Sequence, residues 1–450
     1  TMGVKLLLLV ALLLFVSLIY ADNGGSVFRS DWTFLALRED GLGISFGSNH
    51  ASFLQKTLVG VSAVTTCHHA STVLLNTSNI VVFGDMSHGG ERPSYVPGAG
   101  VASVVSSTHA FAALYLDGSV RAWGQKRYGG TQSLSICSSE TECDKGIAPL
   151  ENVRDIFAGH AAFVVITGTG KVKSWGWDLY AGDSSGVTGL SEGGFVTVYS
   201  GGRAFCAMKH TGMTVVCWGN GMPSEGIIRS ATYTTIFSTW NSFVGLNSNG
   251  SIEAWGSAGN GGALPASGIN LPVKTVFSSC CAFAALLQNN SLYCWGNRDR
   301  GGACNEDPNV ADQVKSGVVF VAASDQVMVA VKEDGRAVAW GNHDFGADIS
   351  AVKDHLYDII SIETGFYQFA ALCKGGRVVQ WSGCPPSWDK TTCNQRNIGG
   401  VVLESGAIKI AVTNFALVAL LQSGEVVTWI GNQPGAWAKA RLGAGSGVVE

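Results

Sequence analysis

Short runs in which apolar and polar residues alternate follow one another along most of this 450-residue chain. In residues 111–130, FAALYLDGSVRAWGQKRYGG, two such runs meet at Asp117-Gly118. Alternation with a period of two is typical of β-strands, and Asp-Gly readily adopts the positive φ angles of a two-residue hairpin turn. This stretch therefore predicts a β-hairpin whose second strand ends at Trp123-Gly124.

The same pattern recurs in register along the chain. FVGLNSNGSIEAWGSAGNGG ends at Gly262, FAALLQNNSLYCWGNRDRGG at Gly302 and MVAVKEDGRAVAWGNHDFGA at Ala347. Alignment on the aromatic residue that closes each hairpin gives ten units, with the anchors Phe46, Phe83, Trp123, Trp175, Trp218, Trp255, Trp295, Trp340, Trp381 and Trp429. Their mean spacing is about 43 residues, the size of a four-stranded propeller blade. We therefore predict an all-β propeller of about ten blade-like repeats, arranged as a closed ring or as a ring with a partial arc.

Side-chain size within the units supports this prediction. Most units carry a small residue ten positions before the anchor, which indicates close packing of neighbouring strands: Ala36, Ala113, Gly245, Ala285, Ala330, Ala371 and Ala419. The anchor tryptophans are expected to lie between adjacent sheets, where a large ring stabilises the fold by burial. Residues 25–450 are predicted to form one repeat domain, with surface inserts at 131–147 and 383–400.

The first 21 residues have the pattern of a secretory signal peptide. Lys5 precedes an apolar run from Leu6 to Tyr20, and the small Ala21 offers a cleavage site. A membrane anchor is the alternative, but the run is shorter than the roughly 20 residues of a spanning helix. We therefore expect a secreted or cell-surface protein with no stable membrane insertion after cleavage.

Composition and charge narrow the functional classes. Glycine accounts for 59 residues and charged residues for 14% of the chain, which is typical of many turns around a large apolar core and not of disorder. Removal of Lys5 with the signal peptide changes the formal net charge from −4 to −5. A nucleic-acid-binding protein needs a basic surface, so we predict no nucleic-acid partner.

The twelve cysteines fit an exported protein. Closely spaced pairs in such a chain indicate local disulfides, and we predict Cys137–Cys143, Cys206–Cys217 and Cys384–Cys393. The other six cysteines cannot be paired from the sequence. A zinc site at Cys67-His68-His69 is the alternative for one of them, but no partner cluster with the usual spacing follows. We predict neither a metal nor a cofactor.

Three glycosylation sequons fall at predicted hairpin turns, where the chain is exposed. They begin at Asn76, Asn249 and Asn289 and are candidate glycan sites in an exported protein.

The repeated pattern x-A-L-x-x-D-G-x-V-x-x-W-G-x-x-x-x-G-G resembles the repeats of the regulator-of-chromosome-condensation family, over roughly residues 30–435. That superfamily of β-propellers also includes a secreted bacterial β-lactamase-inhibitor protein with similarly short blades. The resemblance implies a propeller, usually of seven blades, which the ten anchors exceed. This chain has small residues at Ala110, Ala162 and Ala282, where the nuclear members usually have histidine. No residue-by-residue match to their nucleotide-exchange surface exists, so that activity is not transferred.

Two serine motifs are weak candidates for catalysis. Residues 43–47, GISFG, match a nucleophile-elbow pattern but lie in a predicted strand, whereas that motif needs a strand-to-helix turn. Residues 182–186, GDSSG, resemble a serine-protease segment, but Ala181-Gly182 occupy the repeat position of Gly129-Gly130. Nothing in the sequence brings His160 close to Ser184, and we predict that the protein is not an enzyme.

The segments between the W-G and G-G pairs are the candidate recognition surface. They follow equivalent strands, so they should emerge on one face of the ring. Aromatic residues and arginines that vary from blade to blade are typical of protein interfaces, and the candidates are Tyr128, Tyr180, Arg298, Arg300 and Phe345. We predict a non-catalytic scaffold or inhibitor that binds a protein partner, with a carbohydrate-binding propeller and a propeller hydrolase as alternatives.

Overall fold

The computed structural model describes residues 19–20, 25–29, 33–38, 42–47, 55–131, 134–138, 143–146, 150, 152–210, 214–230, 232–266, 268–384, 399–414, 416–423, 425–430 and 440–442. Side-chain surroundings are described within residues 58–429. The signal-peptide prediction falls almost wholly outside these ranges and stays a prediction.

The described chain consists of β-strands joined by turns and short 3₁₀ helices. The strands are β1 (Ile19–Tyr20), β2 (Gly25–Arg29), β3 (Thr33–Arg38), β4 (Leu42–Gly47), β5 (Gln55–Thr57), β6 (Val61–Thr66), β7 (Ala70–Leu75), β8 (Ile80–Gly84), β9 (Val101–Ser106), β10 (Ala110–Tyr115), β11 (Val120–Gly124), β12 (Ser135–Cys137), β13 (Cys143–Gly146), β14 (Val153–Ala158), β15 (Ala162–Thr167), β16 (Val172–Trp177), β17 (Phe195–Ser200), β18 (Ala204–Lys209), β19 (Val215–Gly219), β20 (Ile227–Arg229), β21 (Tyr233–Ser238), β22 (Ser242–Asn247), β23 (Ile252–Gly256), β24 (Val273–Ser278), β25 (Ala282–Leu287), β26 (Leu292–Gly296), β27 (Val318–Ala323), β28 (Val327–Lys332), β29 (Ala337–Gly341), β30 (Ile359–Thr364), β31 (Gln368–Cys373), β32 (Arg377–Ser382), β33 (Gly400–Leu403), β34 (Ala407–Val412), β35 (Ala416–Leu421), β36 (Val426–Ile430) and β37 (Ala440–Leu442). The 3₁₀ helices are Met86–His88, Lys126–Tyr128, Asp178–Tyr180, Leu190–Glu192, Ala258–Asn260, Arg298–Arg300, His343–Phe345, Lys353–His355 and Lys374–Gly376.

These strands form ten sheets in the described part of the chain, and each sheet carries one predicted anchor. We number them as blades along the chain: β1–β5, β6–β8, β9–β11, β12–β16, β17–β20, β21–β23, β24–β26, β27–β29, β30–β33 and β34–β37. The inner strand of each blade is the one that precedes its central hairpin, and these strands are β2, β6, β9, β14, β17, β21, β24, β27, β30 and β34. Each contacts the inner strand of the next blade from β6 to β34, and β2 contacts both β6 and β34. The protein is therefore a β-propeller whose ten blades form a closed ring.

The hairpins form at the predicted turns. In blade 3, Gly118 has φ 78°, and the register pairs Phe111 with Trp123 and Ala110 with Gly124. The small residues ten positions before the anchors lie on the second strands, as Ala113 does opposite Val104 of the inner strand β9. Ala113, Gly245, Ala285, Ala330, Ala371 and Ala419 are buried, because the second strand has a neighbouring strand on each side and a blade on each face.

The anchor tryptophans connect neighbouring blades. Each is at most 6% exposed. In six blades the indole Nε1–H donates, over 2.9–3.2 Å, to a backbone carbonyl that follows the hairpin of the preceding blade; the donor–acceptor pairs are Trp123–Gly89, Trp175–Gly129, Trp218–Ala181, Trp295–Gly261, Trp340–Gly301 and Trp381–Gly346. Trp255 differs from these six, because its Nε1–H donates to Cys217 Sγ at 3.1 Å. The W-G and G-G motifs of consecutive units are therefore two halves of one contact between blades.

In blade 3, the closeness of this contact requires glycine at both positions of the G-G pair. Gly129 ends a 3₁₀ helix with φ 89°, and a Cβ there would lie 2.6 Å from the Cδ2 atom of Phe163 in the next blade. A Cβ on Gly130 would lie 2.5 Å from the carbonyl carbon of Gly124. Only glycine avoids both contacts without displacement of the backbone.

The repeat length is that of a four-stranded blade, but half of the blades have fewer described strands. Blades 2, 3, 6, 7 and 8 have three described strands each. In blade 7 the outer edge is instead covered by turns over residues 303–316, which bury Val310 and Val314. An edge strand needs a cover of this kind because its backbone groups are otherwise unpaired.

The first insert contributes to a blade and is not only a surface loop. Its strands β12 and β13 join the sheet of blade 4, where β12 pairs in parallel with β16. In the second insert, residues 385–398 lie outside the described residues.

Disulfides occur within blades. Cys206 and Cys217 are bonded across the hairpin β18–β19, and Cys294 of β26 is bonded to Cys304, a pair that the sequence left open. Cys137 and Cys384 each take part in a disulfide of their own. Cys137 lies opposite Cys143 in the strand register. The side chains of Cys143 and Cys393 lie outside the described residues, so these two pairings stay predictions. No helix in the described ranges is long and apolar enough to span a membrane.

Candidate interaction face

The two ends of each hairpin define two faces of the ring. Ala110 at the start of β10 pairs with Gly124 at the end of β11, so the turn before β10 and the segment after β11 emerge at the same end of the blade. We call this the turn face. The Asp117-Gly118 turn lies at the opposite end, and we call that side the hairpin face.

The three sequon asparagines Asn76, Asn249 and Asn289 are exposed on the hairpin face. The Asn249 and Asn289 side-chain oxygens accept hydrogen bonds from the backbone N–H groups of Ser251 and Ser291. Glycans at these positions would extend away from the turn face, and their presence stays a prediction.

A chain of backbone hydrogen bonds links the inner turns of successive blades on the turn face. Each turn joins the first strand of a blade to the second. The backbone N–H of a central turn residue donates to a backbone carbonyl in the equivalent turn of the next blade. The donor–acceptor pairs are His68–Thr108 (2.9 Å), Thr108–His160 (2.9 Å), His160–Gly202 (3.3 Å), Trp240–Cys280 (2.8 Å) and Cys280–Asp325 (3.3 Å), with Arg203 donating to Trp240 (2.5 Å) in blade 5. We call these turns the belt. The sequence contained no signal for them, because the belt residues differ from blade to blade.

Four of the five predicted recognition residues lie against the belt. Tyr128, Tyr180, Arg300 and Phe345 are each the third residue of a 3₁₀ helix. They contact belt residues of their own or the next blade: Tyr128 stacks on His109 (4.2 Å between ring centroids), Tyr180 on His160 (5.2 Å) and Phe345 on Tyr367 (5.1 Å), and Arg300 Nη1 donates to Cys280 Sγ (3.0 Å).

The fifth predicted residue, Arg298, is separate from these four. It is the first residue of its 3₁₀ helix, is exposed and forms an ion pair with Glu306. It therefore faces outward, away from the belt.

The densest part of the turn face is a cluster of arginine and aromatic side chains in blades 3–6. We call it the arginine–aromatic cluster, and its members are Arg127, Tyr128, His160, Trp177, Tyr180, Arg203 and Trp240. The Arg127 guanidinium carbon lies 3.0 Å from the Trp177 ring centroid, and Trp177 stacks on Tyr180 at 4.4 Å. The Arg203 guanidinium lies 5.0 Å from the Tyr180 ring and 4.6 Å from the Trp240 ring. Of the cluster, sequence reasoning had selected only Tyr128 and Tyr180.

A group of histidines continues the cluster into blades 2 and 3. The His109 ring lies 4.8 Å from that of His68 and 4.7 Å from that of His88, which in turn lies 4.5 Å from His69. Burial, together with the neighbouring imidazoles, lowers the pKa of His109 to about 3. His109 is therefore neutral at physiological pH.

Cys67 and Asp85 border these histidines. Cys67 Sγ donates to the carbonyl of His88, and no group of three or more His, Cys, Asp or Glu side chains in the described ranges could hold a metal ion. A side-chain hydrogen bond from Ser87 is the largest cause that lowers the pKa of Asp85, next to His88, to about 2.

The two serine motifs lie in a strand and in a hydrogen-bonded turn. Residues 43–47 lie in strand β4, so no strand-to-helix turn is present there. Ser184 Oγ accepts a hydrogen bond of 3.1 Å from the backbone N–H of Ser174. This serine therefore links the turn after the 3₁₀ helix to strand β16.

No protein-family model matches the chain, and no curated protein matches it. Similar solved structures include Prp20p from Saccharomyces cerevisiae, with 17% identity over 52% of this chain and 74% of that chain and a TM-score of 0.33. The receptor kinase CR4 ectodomain from Physcomitrella patens has 19% identity over 63% of this chain and 73% of that chain, with a TM-score of 0.35. Human WBSCR16 has 15% identity over 64% of this chain and 93% of that chain, with a TM-score of 0.36. A second structure of that protein, named yeast RCC1 (Prp20) and bound to Kap60, has 16% identity over 54% of this chain and 70% of that chain and a TM-score of 0.33. The ten-bladed ring is defined by the strands of this chain itself.

Proposed function

We propose that this protein is a non-catalytic interaction module that binds a protein partner through its turn face. The observation that carries the proposal is the arginine–aromatic cluster. Trp, Tyr and Arg are the residues in which protein interfaces concentrate their binding energy. Here they come from several blades and meet on one face, next to a belt that fixes their backbone positions.

Exposed apolar side chains on the turn face support this assignment. Met86 is 70% exposed and Leu179 is 57% exposed, and both belong to 3₁₀ helices of the turn face. Large exposed apolar groups beside arginine and tyrosine provide the apolar contact area that a protein partner would bury.

A carbohydrate ligand fits the cluster less well. Sugar stacking needs an accessible aromatic face, but Trp177 is covered by the Arg127 guanidinium and stacks on Tyr180. Tyr180 also stacks on His160. These rings are engaged with protein groups, so we favour the protein partner.

We also propose that the chain is exported. Disulfides are typical of secreted and cell-surface proteins, and two complete pairs lie within the described residues. The partner is therefore to be sought in the extracellular medium or at the cell surface.

The test is affinity capture from that material with immobilised wild-type and variant chains, followed by measurement of the dissociation constant. Arg127→Ala and Tyr180→Ala should each weaken binding by about 1–4 kcal/mol. The matched control is Lys274→Ala, because Lys274 is exposed on blade 7 and its Nζ pairs with Asn290 at the hairpin face. If both cluster variants bind as wild type at an unchanged melting temperature, or if the partner binds residues 131–147 or 383–400, the turn-face proposal is wrong.

A further inference from the structure

Arg203 is a basic side chain of the turn face that no described carboxylate neutralises. Side chains that do pair with an aspartate or glutamate are Arg154, Lys209, Arg298 and Lys315. Arg203 has no such partner in the described ranges, and its Nε–H is buried there without a hydrogen-bond acceptor. The residue as a whole is partly exposed. A guanidinium that has already lost water at one edge is attracted more strongly to a carboxylate, because its surroundings screen the two charges less.

Aromatic rings hold the guanidiniums of Arg203 and Arg127 in place. The Arg203 guanidinium carbon lies within 5.0 Å of the ring centroids of Tyr180 and Trp240, and that of Arg127 lies over Trp177. A ring against the face of a guanidinium leaves its N–H groups directed outward in the plane, where they can donate to the two oxygens of a carboxylate. Side chains that are already ordered also lose less conformational entropy on binding.

The surrounding part of the turn face is basic, although the whole chain has a formal net charge of −4. In blades 3–6 the 3₁₀ helices and belt turns carry three cations and one carboxylate, and these are Lys126, Arg127, Arg203 and Asp178. We call this area the basic sector. Carboxylates border it on both sides, at Asp85 in blade 2 and at Asp299, Asp325 and Asp344 in blades 7 and 8. The basic sector is therefore a local site for an anionic group.

We propose that Arg127 and Arg203 bind the carboxylates of a short acidic segment in a protein partner. Leu179 is 57% exposed and lies in the same 3₁₀ helix as Tyr180, so it would contact an apolar side chain next to those carboxylates. The class of partner follows from charge complementarity together with an adjacent apolar surface. This assignment rests on the proposed function of the turn face and adds the chemistry of the partner.

A sulfated polysaccharide fits the basic sector less well. Such a polymer is bound by a long run of lysines and arginines, whereas the basic sector ends at the carboxylates of the neighbouring blades. It also has no apolar side chains to cover the exposed Leu179. A short peptide segment that carries both acidic and apolar residues matches the area on both counts.

The experiment measures, by fluorescence anisotropy, the binding of a fluorescein-labelled peptide of alternating glutamate and tyrosine to the folded, full-length chain. A peptide with glutamine in place of glutamate is the control for charge. The whole chain is acidic, so general attraction of a negative peptide is not expected. We expect the glutamate peptide to bind at least about tenfold more tightly, and added salt to reduce this difference. Equal affinities for the two peptides would overturn the proposal.

Variants assign the binding to the two arginines. Arg203→Gln and Arg127→Gln should each weaken binding of the glutamate peptide by about tenfold. Arg298→Gln is the matched control and should bind as wild type, because Arg298 lies on the same face but points outward in an ion pair with Glu306. Arg203→Lys keeps the charge without the planar guanidinium, so its affinity should lie between those of wild type and Arg203→Gln. Wild-type affinity in both glutamine variants, at an unchanged melting temperature, would refute the assignment.

Capture of the natural partner separates this proposal from the proposed function. If Tyr180→Ala weakens capture but Arg203→Gln does not, and the glutamate peptide fails to compete, the turn face binds a partner that is not acidic and this proposal is wrong. If the partner binds elsewhere while the glutamate peptide still requires Arg203, the site for an acidic segment stands and the proposed function is wrong. Heparin that binds more tightly than the peptide, with the same dependence on Arg203, would instead assign the basic sector to a sulfated polysaccharide.

Discussion

At the residue scale, the anchor tryptophan of six units combines apolar packing with a polar contact to the preceding blade. Trp295 is 4% exposed, lies 5.4 Å from the stacked ring of Phe283 and donates its indole N–H to Gly261 of blade 6. The phenylalanine twelve positions before the anchor recurs at residues 111, 163, 243, 283 and 369 and stacks on the anchor each time. The sequence contained this second aromatic position, which the anchor-based alignment did not use.

Replacement of an anchor tests this packing. Trp295→Ala should lower the free energy of unfolding by about 3–5 kcal/mol, because it leaves a large cavity between two blades. Trp295→Phe keeps most of the ring volume but leaves the Gly261 carbonyl without its indole donor, and should cost about 1–3 kcal/mol. Urea unfolding of both variants measures the difference, and a loss below 1 kcal/mol for the alanine variant would contradict the buried-anchor role.

The lowered pKa of His109 predicts a pH dependence of stability. His109 has a pKa of about 3 in the folded chain, against about 6.5 in the unfolded chain. The unfolded chain therefore takes up the proton first, so this contribution to stability is fully present above about pH 6.5 and is lost as the pH falls toward 3. His109→Gln should reduce the change in melting temperature between about pH 7.5 and 4.5. The Asp85 carboxyl titrates below this window, so an identical pH profile in the variant would refute the role of His109.

At the element scale, many of the described turns contain a residue of positive φ. The hairpin turns and the ends of the 3₁₀ helices both use such residues, and these short elements determine where the next strand begins. Ala181 occupies the helix-end position in blade 4 with φ 66°, so a left-handed backbone alone does not exclude alanine there. The close approach of the next blade is the stronger constraint on the glycine at the equivalent position in blade 3.

Two glycines in equivalent elements allow a matched test of this constraint. Gly129→Ala places a Cβ 2.6 Å from Phe163 at φ 89° and should lower the free energy of unfolding by more than about 1 kcal/mol. Gly259→Ala, in the 3₁₀ helix of blade 6, places a Cβ with no heavy atom within 4 Å. That variant should be neutral or more stable by about 0.4–1 kcal/mol, because alanine restricts the unfolded chain. Equal unfolding midpoints for the two variants would mean that the inter-blade contact is looser than described.

At the scale of the whole molecule, the closed ring separates two surfaces by chemistry. The turn face contains the belt, the arginine–aromatic cluster and exposed Leu179, and the hairpin face contains the three sequons. A partner that binds one face leaves the other accessible. Glycans at the three predicted sequons would therefore extend from the face opposite the proposed binding surface.

Attachment of a bulky group to each face tests the separation. A polyethylene-glycol maleimide on Leu179→Cys should block capture of the partner, because residue 179 lies beside Trp177 and Tyr180 in the cluster. The same group on Asn249→Cys should leave capture unchanged, because residue 249 is exposed on the hairpin face. The unlabelled variants control for the substitutions themselves, and the reverse pattern would assign the partner to the hairpin face.

The sequence by itself determined the repeat unit, the ten anchors, the hairpin turns and the face on which Tyr128, Tyr180, Arg300 and Phe345 emerge. These features depend on local alternation and on residues that adopt positive φ, so they can be predicted from short stretches. The tertiary structure decided the closure of the ring between β34 and β2, the Cys294–Cys304 bond and the parallel pairing of β12 with β16. It also brought Arg127, Trp177, Arg203 and Trp240 together and directed Arg298 outward. These outcomes depend on contacts between blades or between segments without a repeated pattern, and their geometry is set only when the blades pack around the ring.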